Sequence, residues 1–466
     1  MDKEVVDAAI REGGLTPPDF DYQVEGDDPV FRSPLQLATG ASAALVMLGS
    51  AVNEIALSRG GRSQALKVDA NHAALSLLSM WLLKVDGELA LARLGLGMGG
   101  MPAIFGPFGT SDGQTLHLQP GFAHHVDAIL RALACEPTRD AVSARIAGMT
   151  GDAAETMLSD AGVPAVVIRD YATWLTTEQG RTMLDVPVVE IEQIADGPPA
   201  ALAPAQRPLD DFRVLDLTRV LAGPTCSRIL GELGADVLHV DSPNLLDLVP
   251  GQADTAHGKR MTFLDLEEPG DKATLRGLAE RADVFVQSYR AGSLKRRGFG
   301  PHDLAATPGG IVYVSVNCYG HKGPWESRPG YDGNAMAATG ITRVHEVEPS
   351  PGIAVAMNDY CTAYWGAYGA LRGLLARAAT GGSYHVKVSL TQSAMWFMRM
   401  GEPHARADGM DAADLTQLAE ARYMGVEDSP YGKLLQLRPA LNLPVTPPIW
   451  QRGTPLPGSS EARWLA

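Results

Sequence analysis

The chain has 466 residues, enough for two or three ordinary domains; 45 % are hydrophobic and 20 % charged, close to the globular average, which excludes disorder as its main state. Lys and Arg number 39 against 54 Asp and Glu, a net charge of −15, so general affinity for nucleic acid or anionic membrane is excluded and an anionic ligand must meet a local basic patch. No uninterrupted apolar run reaches the ~18 residues of a membrane span, and the start, Met1-Asp2-Lys3-Glu4, lacks the basic-then-apolar layout of a signal peptide. Cys135, Cys226, Cys318 and Cys361 form no CxxC pair, so neither a disulfide framework nor a metal site is expected. A cytoplasmic protein without a metal is the expectation.

Taken in chain order, residues 1–34 read as an N-terminal extension and 35–197 as a first region. Within it, residues 39–75 lie over 359–395 without a gap, sharing Ala43, Gly49, Ala56, Gly61, Ser63, Lys67, Val68 and Ala74 with their counterparts. Both segments predict a small-residue helix, a glycine-rich turn, a short strand and a second helix. The pair His124-His125 has no third ligand at metal spacing and reads as surface or packing. Four prolines among alanines in 198–208 neither continue a helix nor sit inside a sheet, so an extended linker is predicted there.

Beyond the linker, 209–400 alternates strands and helices. Arg213-Val214-Leu215-Asp216-Leu217, Asp236-Val237-Leu238-His239-Val240, Ala282-Asp283-Val284-Phe285-Val286 and Gly310-Ile311-Val312-Tyr313-Val314-Ser315-Val316 are short apolar runs separated by helical segments, the pattern of βαβ units in a parallel sheet. The turn after the first strand, 218–224, holds one glycine and Pro224, so it is not a dinucleotide-binding loop. Basic residues gather at Lys259-Arg260, Arg290 and Lys295-Arg296-Arg297; they suit phosphate binding or a solvated surface. Asp359 opens a small-residue helix, as an N-cap or as a carboxylate nucleophile beside a helix terminus. Residues 401–466 form a tail rich in Pro and Gly, expected to pack on the preceding domain.

The ordered set of segments in 209–400 resembles the family III CoA-transferases, which include carnitine and formyl-CoA transferases and α-methylacyl-CoA racemases. The segments include Leu215-Asp216-Leu217-Thr218, Leu221-Ala222-Gly223-Pro224, Gly258-Lys259-Arg260, Leu264-Asp265-Leu266, Gln287-Ser288-Tyr289-Arg290, Tyr319-Gly320, Gly330-Tyr331-Asp332, Asp359 and Thr380-Gly381-Gly382. Residues 35–197 are similar to the later half of the same family, through the repeat helix, Phe108-Gly109-Thr110-Ser111-Asp112-Gly113 and Ala161-Gly162-Val163-Pro164, so the halves look duplicated and rearranged. The resemblance implies an α/β fold with a Rossmann-like parallel sheet, a smaller α+β domain and an interlocked homodimer. It implies coenzyme A and acyl-CoA as substrates, with a carboxylic acid as acceptor and Asp359 as covalent nucleophile. It places Leu221 and Ala222 at the thioester end, Leu264, Asp265, Ser288, Tyr289 and Arg296 around adenine and phosphates, and Asn317 and Tyr319 along the pantetheine, with Lys259 among the basic CoA contacts. In the repeat Asp359 faces Thr39, which implies one catalytic carboxylate per chain.

Two departures bear on the reaction. Ser242-Pro243-Asn244-Leu245-Leu246-Asp247 replaces the family's usual G-D-x-x-R, removing one phosphate contact. Racemase members have a histidine where this chain has Tyr331, and a phenol with a pKa near ~10 is a poor α-proton base, so a transferase is expected over the alternatives, an acyl-CoA racemase or isomerase and a non-catalytic CoA-binding protein.

Overall fold

The computed structural model describes residues 1–95, 104–245, 247–346, 356–403 and 409–465; Leu246 of the replaced phosphate segment lies outside them. The apolar runs of the second region supply six strands of one seven-stranded sheet. Arg213–Leu217, Asp236–Asp241, Arg260–Phe263, Val284–Gln287, Val312–Asn317 and Ser383–Ser389 are all parallel, in the spatial order third, second, first, fourth, fifth, sixth. The order reverses between Arg213–Leu217 and Val284–Gln287, and at such a reversal the loops beyond the carboxyl ends of the strands part to leave a crevice.

The seventh strand, Glu190–Ala195, pairs antiparallel with Ser383–Ser389. It precedes the proline-rich stretch, so residues on both sides of 198–208 share one sheet. A three-stranded antiparallel sheet of Gly106–Gly109, Thr115–Leu118 and Ala165–Val167 is packed by Ala123–Leu133, Arg139–Ile146 and Gly151–Asp160 around its own apolar core. A four-stranded antiparallel sheet joins Met424–Ser429 and Gly432–Leu437 of the tail to Lys84–Val85 and Glu88–Leu89, and Trp464 is buried with its indole N–H donating to the Leu278 carbonyl.

The repeat keeps its gapless register in three dimensions. Helices begin at Leu37 and Met357, strands end at Asp69 and Ser389, and the second helices begin at Ala70 and Leu390, a constant offset along the chain. Asp69 and Ser389 each cap the second helix through the side chain, a stabilisation of about 1 kcal/mol apiece. In both copies the strand pairs parallel with a preceding strand: Leu66–Asp69 with Tyr22–Glu25, and Ser383–Ser389 with Val312–Asn317. A carboxylate accepts from the second and third residues of each long helix: Asp28 from the Ala38 and Thr39 N–H groups at 3.0 and 2.6 Å, and Asp332 from those of Asn358 and Asp359.

The long helices Leu37–Ser58 and Met357–Thr380 pack on each other in the main core. Leu37–Ser58 is long and apolar enough to cross a membrane, but it is buried almost all round, as a core helix lined with Ala, Gly and Ser can be when neighbours approach closely. Trp365 and Met395 are fully buried in the same core.

Candidate active site

The turn after the first strand builds the site. Val220 has φ +69°, a costly backbone conformation for a β-branched residue that persists only where its surroundings over-determine it. Two bonds fix it here: the Arg219 N–H donates to Ser288 Oγ (2.9 Å) and the Val220 N–H to Asp247 Oδ2 (2.8 Å). The first bond spans the reversal in strand order, tying the end of the first strand to the end of the fourth. The helix Ala222–Glu232 starts directly afterwards, and the Ala222 backbone N–H faces the carboxylate of Asp359.

Asp359 lies in the first turn of Met357–Thr380 and is 7 % exposed, on the wall of a cavity of about 430 Å³. Burial pushes its carboxyl well up from the ordinary range, the neighbouring Asp332 adds to the rise, and the Ala222 N–H opposes it. Asp332 is itself raised to about 7 by burial, against the bonds it accepts from the Asn358 side chain and the Asp359 and Asn358 backbones. The two carboxyls therefore compete for charge, and Asp332 holds the larger share of donors.

The other walls bring together residues far apart in sequence. Ala222, Ser288, Tyr289, Arg296 and Asn317, expected in the site, line the cavity with Asp359. The Asn317 amide is braced within its own turn, donating to and accepting from Gly320. Leu264 and Asp265 line a second cavity of about 350 Å³. It shares Leu245, Tyr289 and Ser293 with the first, so the two are contiguous around Tyr289.

Three expected contacts are on neither wall. Leu221 is a buried N-cap residue in the main core. Tyr319 is 2 % exposed and packs edge-on against Trp325. Lys259 is 2 % exposed, and its ammonium donates to Asp216 Oδ2 (2.9 Å), the Pro224 carbonyl (2.7 Å) and Ser227 Oγ (2.8 Å). All three of its donors are used inside the protein, so it is not a CoA phosphate contact. It neutralises Asp216, which is fully buried beneath the site-forming turn and also accepts from Thr218 and Ser227, with the His239 ring nitrogen at 2.9 Å.

Conversely, the cavity recruits His124 and His125, which the sequence pattern assigns to packing or surface, together with Phe122, Arg219, Arg290 and Arg328. The ring of Phe122 lies 4.5 Å from the Arg219 guanidinium. Gly121 allows this segment its approach: a Cβ there would meet the Tyr331 ring at 2.8 Å. Arg290 donates to the Gly162 carbonyl (2.6 Å) in the Ala161-Gly162-Val163-Pro164 turn, holding the three-stranded unit against the cavity. Burial drives His125 down to about 3, with His124 and Arg290 adding to the drop, so its ring is neutral. Among the described residues no group of His, Cys, Asp or Glu is arranged to hold a metal ion.

A buried carboxylate thus faces a helix N-terminus, in a cleft with four arginines at the switch point of a parallel sheet. Residues 209–422 match the model of CoA-transferase family III. An acyl-CoA transferase of Gibberella moniliformis is 38 % identical over 259 residues, covering 51 % of this chain and 44 % of that protein. The succinyl-CoA:glutarate CoA-transferase of Mus musculus is 34 % identical over 212 residues, covering 42 % and 48 %. A crystal structure of a CaiB/BaiF family protein from Brucella suis shares 26 % identity over 49 % of this chain and 65 % of that one, with a TM-score of 0.38. The chain thus spans about half the length, or less, of these curated relatives.

Proposed function

We propose that this protein transfers coenzyme A from an acyl-CoA to a carboxylic acid, with Asp359 as the covalent nucleophile. The observation that supports the reading most strongly is the placement of Asp359: buried, facing the Ala222 N–H at a helix start, on a cavity ringed by arginines. The family match of residues 209–422 and the transferase relatives support the reaction class.

In this reading a carboxylate oxygen of Asp359 attacks the thioester carbonyl carbon, the C–S bond breaks, and the CoA thiolate leaves with the electron pair. The thiolate then attacks the Asp359 carbonyl of the mixed anhydride and expels the donor acid. The incoming carboxylate attacks the aspartyl thioester, and the returning thiolate takes the acceptor acyl group and restores Asp359. No net proton is gained or lost, and each leaving group is nearly as stable as its attacker, which splits one exchange into near-balanced steps. The Ala222 N–H and its helix terminus stabilise negative charge developing beside Asp359. Desolvation favours reaction: a carboxylate stripped of water in the cavity is more basic and more nucleophilic.

CoA would run from the second cavity, where Asp265 and Leu264 suit the adenine and ribose, past Arg296 for the phosphates. The pantetheine would pass Ser288, Tyr289 and Asn317 to the thiol end at Asp359. The Rossmann-like reading of the sheet supports this path, since it leads across the switch point. A cytoplasmic homodimer belongs to the same proposal.

The test is CoA exchange between a panel of acyl-CoAs and acids followed chromatographically; wild type should form new thioesters and Asp359→Asn none. The His124 ring on the cavity wall favours one second reading, proton exchange at the α-carbon. Deuterium entering a 2-methylacyl-CoA without any acceptor acid would select it.

A further inference from the structure

The second cavity is acidic, although the carrier proposed for it is a polyanion. Asp241, Asp265 and Glu267 line it, and among the described residues on its wall Arg297 is the one cation. Arg297 is already ion-paired with Glu267. Asp241 is offset by the His239 ring, whose Nε2 lies 3.3 Å from Oδ1. Asp265 has no such offset. The groups that hold it are neutral: the Asn244 side-chain amide donates to Oδ2 at 2.6 Å and the Glu267 N–H to Oδ1 at 3.0 Å. It is half-buried, and Glu267 beside it is exposed, so both carboxylates are open to a ligand in the cavity. Each oxygen of Asp265 can accept from a further donor.

CoA carries a phosphate on its ribose 3′-hydroxyl, and the wall chemistry bears on that group. A carboxylate recognises a free ribose hydroxyl, which donates to it, whereas an arginine is needed to accommodate a phosphate in the same place. Here the carboxylate is ready and the arginine is engaged by Glu267. The Ser242–Asp247 segment, which replaces the family's arginine-bearing G-D-x-x-R, sends Asn244 to this wall, and its amide turns to Asp265. A dianionic phosphate placed there would meet Asp265 and Glu267 as like charges, a repulsive element that selects against it. The diphosphate escapes this repulsion because Arg296 stands on the first cavity.

Resting on the CoA path of the proposed transferase reaction, we infer that this cavity takes an adenosine with a free 3′-hydroxyl, so that the enzyme uses 3′-dephospho-CoA thioesters and binds them at least as tightly as those of CoA.

The test measures binding of CoA and 3′-dephospho-CoA by calorimetry in wild type, Asp265→Asn and Glu267→Lys, and follows transfer from the acetyl thioester of each to a panel of acids. Wild type should bind the dephospho form about 3- to 10-fold more tightly, the size of a like-charge repulsion near the surface. Asp265→Asn should narrow that ratio, weakening the dephospho form and relieving CoA. Glu267→Lys, at a side chain 74 % exposed, releases Arg297 and should reverse the preference. CoA as the tighter ligand in wild type, or a ratio unchanged in both variants, overturns this inference alone. Binding of both forms with transfer of neither to any acid overturns the underlying reaction and leaves the inference standing. Binding of neither overturns the CoA path, and the inference with it.

Discussion

Replacing Lys259 by methionine removes the cation buried beneath the site-forming turn. Its ammonium makes three hydrogen bonds at 2.7–2.9 Å to Asp216, Pro224 and Ser227 and is sealed from solvent. Lys259→Met keeps most of the stem's volume but removes all three donors. Asp216 would then share its fully buried charge only with His239, whose own state is set by burial opposing the Asp216 and Asp241 carboxylates that hold it up at about 10. Breaking a buried pair from one side costs about 3–5 kcal/mol. We expect that loss in urea unfolding at pH 7, with CoA affinity measured by calorimetry changed by less than about threefold, since one RT ln 10 step is ~1.4 kcal/mol. Adding Asp216→Asn should recover more than half of the loss, because the uncompensated carboxylate is its source. A variant as stable as wild type that binds CoA tenfold more weakly would refute this reasoning and return Lys259 to the ligand.

The Asp332–Asp359 pair predicts the pH profile. Burial raises both carboxyls, Asp332 to about 7, and the nucleophile must be ionised, so kcat/KM should climb with pH on an acid limb well above the usual carboxylate range. Asp332→Asn removes the like charge and should move that limb to lower pH; a limb near pH 4 in wild type would contradict the pairing. Gly121→Ala should push residues 122–125 off the Tyr331 ring, which a Cβ would approach to 2.8 Å. The expected result is a raised KM and about 1–3 kcal/mol less stability, and unaltered kinetics would show that this wall is not part of the site.

Four strands of the large sheet were legible because their apolar runs are buried on both faces, as Arg213–Leu217 and Val312–Asn317 show; the short edge strand Arg260–Phe263, opening on a cation, was not. The repeat was legible because its register survives as matched helix starts at Leu37 and Met357. Glu190–Ala195 escaped notice: as an edge strand with exposed and half-exposed residues, it lacks an apolar signature. The equivalence of Asp28 and Asp332 was hidden because they stand at different distances from the helices they cap. His124, His125 and Phe122 could not be assigned to the site, since a cavity wall assembled from loops about a hundred residues apart leaves no local pattern. Lys259 looked like a phosphate ligand because its true partner, Asp216, lies on another strand. Arg219 had one available signal: a cation immediately after a buried strand, in the same turn as the Leu221-Ala222-Gly223-Pro224 segment.

In the proposed reaction Asp359 becomes acylated and then bears CoA. This course is tested most directly by incubating the protein with an acyl-CoA panel, trapping with hydroxylamine, and mapping peptides by mass spectrometry beside Asp359→Asn. One hydroxamate per chain is expected, at Asp359, absent from the variant, with Thr39 in the matching position of the first repeat unmodified. An unmodified Asp359 across the panel, in protein that binds CoA, would contradict it.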